Sequence, residues 1–458
     1  MLDPKNVKSI ADARAIIEQR GITHVKVGLF DTDGVMRGKY MSSHKFLSSL
    51  EHGFAFCDVT LGWDSNDQLY ENKNVTFTGW HTGYPDAPVR VIPESCRQIP
   101  FEPETLLFLC EFDGRASELC PRNLLKRIIQ KASKMGFEPF AAFEYEFFLF
   151  NETPLSAREK RYNNLQPFTQ GNFGYSMIRN SVHSDIYEEL FALSNSMDFP
   201  IEGLHTETGP GVLEAALAVD TAVSAADKAA LFKTYIKVWA QRIGKMATFM
   251  AKWSNKFPGQ SGHIHMSLRH KDGRSAFYDP KQPHNMSDLQ RHFVAGLQKL
   301  MPEFLSMLAQ TVNSYSRLVP GFWAPTASTW GCENRTTALR VIPGSDKAQR
   351  VEFRLGSADA NPYIALAATL AAGLYGIEKK LEPSLEVKGN AYEQKHPDHL
   401  ALPQTLAEAA RALRSSAAAK SLFGEQFVNH FSASREWEFS EFCRHVTDWE
   451  RSRYFEII

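Results

Sequence analysis

The chain has 458 residues, 43% hydrophobic and 22% charged, with 51 Lys plus Arg set against 52 Asp plus Glu. A net charge of −1 leaves no electrostatic footprint for nucleic acid or an anionic membrane, and no stretch reaches the ~18 apolar residues that cross a bilayer. The length predicts two unequal domains, and six cysteines without a CxxC pair read as free thiols of a reducing cytoplasm.

Residues 8–20 place apolar side chains at helical spacing and stop at Gly21. Residues 22–31 and 35–42 read as a hairpin joined by Thr32, Asp33 and Gly34. From there to about residue 105 the chain is rich in Gly, Pro, Asp and aromatics with little helical periodicity, which predicts a small sheet domain with long loops. Residues 120–136 predict a helix entered through Pro121 and stopped at Gly136. The domain boundary is placed just before that helix, giving 1–112 and 113–458. Beyond it, strands alternate with long helices. These are predicted from Asp220 as N-cap, over 287–312, over 361–381 and through the Ala-rich 406–424.

Six metal-capable side chains are spread over strand-like segments of the larger part. They are Glu144 and Glu146 in AFEYEF, Glu207 and Glu214 in HTETGPGVLE, His263 in SGHIHMSL, and Glu352 in RVEFRL. Residues i and i+2 of a strand share a face, so Glu144 and Glu146 point together while Phe143, Tyr145 and Phe147 cover the reverse. His263 with His265, and Glu352 with Arg354, repeat the pattern. Any one pair alone reads as the solvated side of a strand. Three pairs, five carboxylates and an imidazole form an oxygen-rich donor set suited to Mg²⁺ or Mn²⁺. Arg317, Arg335, Arg340, Arg350 and Arg354 crowd the same region and favour anionic oxygens. Two such ions beside arginines are equipment for phosphoryl transfer. Neither GxxxxGK[ST] nor GxGxxG occurs, so a nucleotide is not held by a P-loop or Rossmann turn. In NSYSRLVPGFWAP, the prolines and glycine are expected to form a stiff loop that presents Arg317.

The motifs AAFEYEFFLF, HTETGPGVLE, TFMAK followed by GHIHMSL, NSYSRLVPG, and KAQRVEFRLGSADANPY resemble the glutamine synthetase family along nearly the whole chain. The resemblance implies an α+β fold, with a small N-terminal β-grasp domain before a large catalytic α/β domain. It implies ATP, two or more Mg²⁺ or Mn²⁺ ions per site, and a homo-oligomer, commonly a dodecamer, with active sites between subunits. One ion would sit on Glu146, Glu207 and Glu214, the other on Glu144, His263 and Glu352. Arg317 and Arg354 match the arginines that grip glutamate, with Gly259 as a backbone contact. Arg335, Arg340, Lys347 and Arg350 match phosphate and nucleotide contacts. Glu202 and Ser267 match positions near the ribose and base, and His265 joins the nucleotide set. Arg335 and Arg317 are thereby expected to act at the reacting groups.

The chain departs from that pattern around the nucleophile. Trp323 stands where ammonia-using members carry a glutamate that attracts ammonium and removes its extra proton. Val212 replaces a usual glutamine, Glu333 stands where many relatives carry arginine, and Asp58 (less so Asp64) is the counterpart of the N-terminal acid. Tyr392 falls near a tyrosine that some bacterial members modify, but is expected to be an exposed loop tyrosine. An amine attacks only as the neutral base; an alkylamine, like lysine with a pKa near ~10, is mostly charged at pH 7, whereas an arylamine is already neutral. The expected reaction joins L-glutamate to an apolar primary amine, such as aniline or isopropylamine, through γ-glutamyl phosphate. The alternatives are a polyamine ligase, ordinary glutamine synthetase, and a non-catalytic relative.

Overall fold

Strands β1 (His24–Phe30), β2 (Met36–Ser42), β3 (Phe54–Cys57), β4 (Asp86–Val91), β5 (Arg97–Ile99) and β6 (Glu102–Phe112) form one sheet in a computed structural model that describes residues 2–458. Its order is β2-β1-β6-β4-β3, with β5 on β6. The predicted hairpin is present, from His24 opposite Ser42 to Phe30 opposite Met36. Its turn needs Gly34, which lies at φ 76, and a Cβ there would come 3.2 Å from the Asn361 Cα. β6 then runs parallel to β1 through the middle of the sheet.

A second sheet carries β7 (Phe137–Phe150), β8 (Ile201–Thr206), β9 (Val212–Leu217), β10 (Asp220–Thr221), β11 (Met246–Thr248), β12 (Gly262–His270), β13 (Trp330–Cys332), β14 (Leu339–Ile342) and β15 (Arg350–Phe353). The order is β13-β14-β15-β12-β7-β9-β8, and β10 and β11 both pair with β7. The α+β class is as expected. On the back of β7, Phe143, Tyr145 and Phe147 are buried; Phe143 stacks on Tyr145, and Tyr145 and Phe147 meet Phe232 of the helix Ala222–Arg242 and Phe249. That aromatic layer is the core that keeps the opposite face of β7 flat and available.

Buried polar bonds tie the two sheets together. Arg122, in the helix Pro121–Lys134, donates to Glu111 of β6 at 2.7 Å and to Asp227 at 2.9 and 3.1 Å. Asn361 donates to the Asp31 carbonyl at 2.9 Å, and Arg435 to the Asp33 carboxylate at 2.6 Å.

Several elements differ from expectation. The first region contains a helix, Ser43–His52, that buries Phe46 and Leu50 one turn apart. Asp220 is not an N-cap: it pairs with β7, and its carboxylate takes Ser224 at 2.6 Å and Lys228 at 2.7 Å. The helix expected over 287–312 ends at Phe304, with Pro302 in its last turn, because proline removes a helical donor. A new helix, Val312–Arg317, starts from the Thr311/Ser314 capping box. Arg317 therefore projects from a helix end rather than from a loop. The Ala-rich tract splits at Ser416, whose hydroxyl caps Ala417–Phe423.

Candidate active site

The register of the second sheet brings the charges together. Glu144 on β7 lies opposite His263 on β12, Glu146 opposite Glu214 on β9, and His265 and Arg340 both opposite Glu352 on β15. Opposed residues of paired strands share a face, so five adjoining strands present these groups to one cavity of about 690 Å³. Glu144, Glu146, Glu207, Glu214, His263, His265, Gly259 and Glu352 line it, with Arg317, Arg335, Arg340, Arg350 and Arg354. Gly259 is required there, since a Cβ would sit 2.5 Å from the Ala251 carbonyl oxygen and 2.7 Å from the Arg317 Cγ.

Two tight groups emerge. Ligand atoms of Glu144, His263 and Glu352 lie within 4.8 Å of one another, and so do those of His205, Glu207 and Glu214. The first group is the expected one. In the second, His205 stands beside the acids, 3.4 Å from Glu207 and 3.7 Å from Glu214. Its ring is stacked by Tyr175 at 4.3 Å. Glu146 lines the same cavity but accepts the Ser261 N–H at 2.7 Å. His205 and Tyr175 escaped the sequence reading. The usable signal was His205 two residues before Glu207 at a strand end.

The electrostatics fit a cation. Glu214 is pushed up to about 11 by burial first and then by Glu144, Glu146 and Glu207: the acids repel one another strongly enough to favour a shared proton or metal. Burial also opposes charge on Glu144, but hydrogen bonds from His263 and His265 hold its carboxyl far below the usual range. Glu352 is lowered to about 2: burial opposes its charge, and Arg354, His263 and His265 overcome that. Burial and then Arg354 push His263 down, leaving a neutral imidazole with a lone pair to share. The His205 Nε2 is buried without a hydrogen-bond partner. Carboxylate oxygens, imidazole nitrogens and that unpaired atom make a donor set suited to hard divalent cations.

The arginine end is rigid. Arg317 donates to the Leu355 and Arg354 carbonyls, both at 3.1 Å, and burial lowers it to about 10, still cationic at neutral pH. The Arg354 Nε is buried without a partner. Arg340 joins Glu352 at 2.9 Å and Glu333 at 3.0 Å, so Glu333 takes a guanidinium rather than supplying one. Arg350 donates to the His265 Nδ1 at 3.3 Å.

Phe322 and Trp323, which belong to no strand of the sheet, also line the cavity. Trp323 sits at φ 58 and is 57% exposed. The Phe322 ring covers the Lys252 ammonium at 4.2 Å. Tyr392 is half-buried, not an exposed loop residue, and its hydroxyl donates to the Ala324 carbonyl at 3.1 Å.

Five expected residues are not among those lining the cavity. Val212 is sealed in an apolar group with Phe148 and Phe150. Glu202 and Lys347 are exposed, and Ser267 lies farther along β12. Asp58 is buried in the first sheet region, accepting from Thr78 at 2.7 Å.

Among protein families, residues 118–454 match the one described as glutamine synthetase, catalytic domain. The chain is 46% identical over 440 residues to "Type-1 glutamine synthetase 2" of Dictyostelium discoideum, covering 95% of this chain and 84% of the relative. It is 36% identical over 463 residues to the "Glutamate--isopropylamine ligase" of a Pseudomonas species, covering 100% of each. The solved structure described as "GmaS/ADP complex-Conformation 1" superposes with a TM-score of 0.84 at 25% identity, over 97% of this chain and 99% of that one.

Proposed function

The chain belongs to the glutamine synthetase family, and from that premise we propose that it joins L-glutamate to an apolar primary amine, an arylamine such as aniline or a small alkylamine such as isopropylamine. It is an ATP-dependent carbon–nitrogen ligase. The observation that carries this choice of nucleophile is the loop wall. Phe322 and Trp323 face the cavity there, a lysine lies under Phe322, and among the described residues that wall contributes no carboxylate. Such a surface accepts the apolar group of either amine and lacks the acid that would strip a proton from ammonium; an arylamine needs no such acid, and an alkylamine reacts through its small neutral fraction.

In this reading Arg317 and Arg354 hold the carboxylates of glutamate over Gly259. Arg335, Arg340, Arg350 and His265 receive the phosphates, with Lys347, Glu202 and Ser267 toward the ribose and base. Glu146, Glu207 and Glu214, with His205 beside them, would hold one Mg²⁺ or Mn²⁺, and Glu144, His263 and Glu352 the other. When bound, these ions supply positive charge that offsets the phosphoryl oxygens. The γ-carboxylate oxygen of glutamate takes the terminal phosphoryl group of ATP, and the breaking P–O bond leaves its electron pair on ADP. The amine lone pair then attacks the acyl carbon, the C–O bond to phosphate breaks, and the nitrogen loses a proton. Arg335 stabilises the transferring group, and the Phe322–Trp323 wall keeps water from the acyl phosphate.

In this reading a second copy of the chain supplies Asp58, which lies outside the cavity of its own copy. The reading extends to a homo-oligomer of the dodecamer kind, and the exposed apolar Phe455, Ile457 and Ile458 are surface that a second copy could cover. The domain boundary falls between residues 112 and 113, where β6 ends. A cytoplasmic location is supported by six free cysteines.

The 46% identity to a protein named glutamine synthetase favours a second reading, in which ammonia is the nucleophile and Asp58 alone serves it. ADP release with glutamate and ATP over ammonia, short alkylamines, anilines, ethanolamine and putrescine separates the two. Faster release with aniline or isopropylamine is expected. Robust turnover with ammonium alone overturns the first reading in favour of the second.

A further inference from the structure

Outside the cavity, three side chains of different chemistry meet where separate segments cross. They are His284 in the turn Pro283–Asn285, Cys332 at the end of β13, and Glu386 in the stretch 381–388. Their donor atoms lie within 4.8 Å of one another, and all three residues are half-buried. The Glu386 Oε1 accepts the Cys332 N–H at 3.1 Å, which turns its Oε2 to within 3.3 Å of the His284 Nε2. His284 sits at φ 58 and ψ 19, a conformation few residues other than glycine adopt. Its carbonyl is held there by the Gln349 amide at 3.1 Å. The backbone thus fixes the imidazole toward the thiol and the carboxylate.

We propose that His284, Cys332 and Glu386 form a binding site for a thiophilic divalent cation of the zinc class. A thiolate sulfur, an imidazole nitrogen and a carboxylate oxygen are a donor set that would serve zinc as three protein ligands, with water as the fourth. Mg²⁺ has little affinity for sulfur, so this site and the oxygen-rich cradle choose different ions. Ligation breaks the Cys332 S–H bond, forms a sulfur–metal bond, and releases the proton to water.

The site braces the nucleotide end of the cavity. Trp330 already donates to the Ser384 carbonyl at 2.8 Å, and Val387 to the Trp330 carbonyl at 3.0 Å. An ion on Cys332 and Glu386 would lock that pairing and add the 283–285 turn. The next residue, Glu333, bonds Arg340, which in turn bonds Glu352; Arg335 follows two residues later.

The test is titration of the full-length chain with cobalt(II) chloride in excess Mg²⁺, followed by absorption. A sulfur-to-cobalt charge-transfer band is expected to saturate at one equivalent per chain and to bleach on adding zinc. It is lost in Cys332→Ser and at least about tenfold harder to saturate in His284→Gln and Glu386→Gln, since even partners behind the ligands are worth that much. No band, a band that survives Cys332→Ser, or a band indifferent to both other variants overturns the site. Should Cys332→Ser fail to fold, His284→Gln and Glu386→Gln decide alone.

Discussion

On the sheet wall of the cavity, Glu144, Glu214, His263 and Glu352 project from strands whose registers are locked by backbone pairing. Phe322 and Trp323 instead hang from an irregular connection outside the sheet, where Phe322 covers the Lys252 ammonium and the Ala324 carbonyl accepts from Tyr392. Side chains on paired strands cannot slip without moving every neighbour to the other face, whereas a surface loop can exchange side chains at little cost. The contrast suggests that the acyl-activating chemistry is resistant to change while the choice of amine is open to it.

The largest expected effect tests the rigid wall. Glu352→Ala removes a carboxylate shared by His263, Arg340 and Arg354. ADP release is expected to fall by more than ~10³-fold with every amine, a barrier rise above ~4 kcal/mol. A loss within about tenfold, only ~1.4 kcal/mol, would remove Glu352 from the machinery. Next is Gly259→Ala. The added Cβ has backbone on one side and Arg317 on the other, so misplacement of the bound glutamate should cost ~10²-fold in kcat/KM. An unchanged KM for glutamate would contradict the position assigned to Arg317.

The reverse side of the rigid wall offers a different test. Lys233 is buried behind β7, donating to the Ala360 carbonyl at 2.7 Å and lying 5.6 Å from the Tyr145 ring. Burial, then Lys237, lowers it to about 7. The folded chain thus disfavours a proton that the unfolded chain keeps up to about 10.5. Its cost to stability is full below pH 7 and fades as pH rises toward 10.5, at a slope of up to ~1.4 kcal/mol per pH unit. Lys233→Met should therefore raise the denaturation midpoint most at pH 6 and progressively less toward pH 10. A gain independent of pH would show that the lysine is not buried as a neutral amine.

The loop wall is tested by Trp323→Glu. The ratio of ammonium-dependent to isopropylamine-dependent ADP release should rise by about tenfold or more, ~1.4 kcal/mol, with glutamate KM unchanged. A fixed ratio would mean that the loop does not select the nucleophile, and the comparison of walls would lose its functional half.

The same contrast explains what the sequence disclosed. Alternating charges, two acids in AFEYEF and Arg350, Glu352 and Arg354 in RVEFRL, announce strands with a charged face, because a period of two is visible in one chain. The cradle was legible for that reason. His205 was not, since HTETGP reads as the approach to a turn and its partner ring, Tyr175, lies far back in the chain. The segment around Arg317 reads as a loop because Pro320 and Gly321 outweigh the Thr311/Ser314 capping box. The helix Ser43–His52 passed unnoticed because only Phe46 and Leu50 are strong apolar markers among its polar residues. Tyr392 reads as exposed since nothing local signals a bond to Ala324, 68 residues away.

That bond is also the most delicate test of the loop wall. Tyr392→Phe keeps the ring that fills the half-buried space and removes only the hydroxyl that holds the Ala324 carbonyl. A neutral hydrogen bond contributes ~1 kcal/mol net, so the loop should sample open positions about fivefold more often. The KM for a bulky amine, which needs the aromatic wall in place, should rise two- to tenfold over the corresponding ~0.5–1.5 kcal/mol range. The cradle does not depend on this bond, so kcat at saturating amine and the KM for glutamate should hold. A matching fall in turnover with every amine would instead mean that Tyr392 acts on the rigid wall, where burial raises its phenol and Arg354 and Arg317 lower it, and the division between the two walls would have to be redrawn around that side chain.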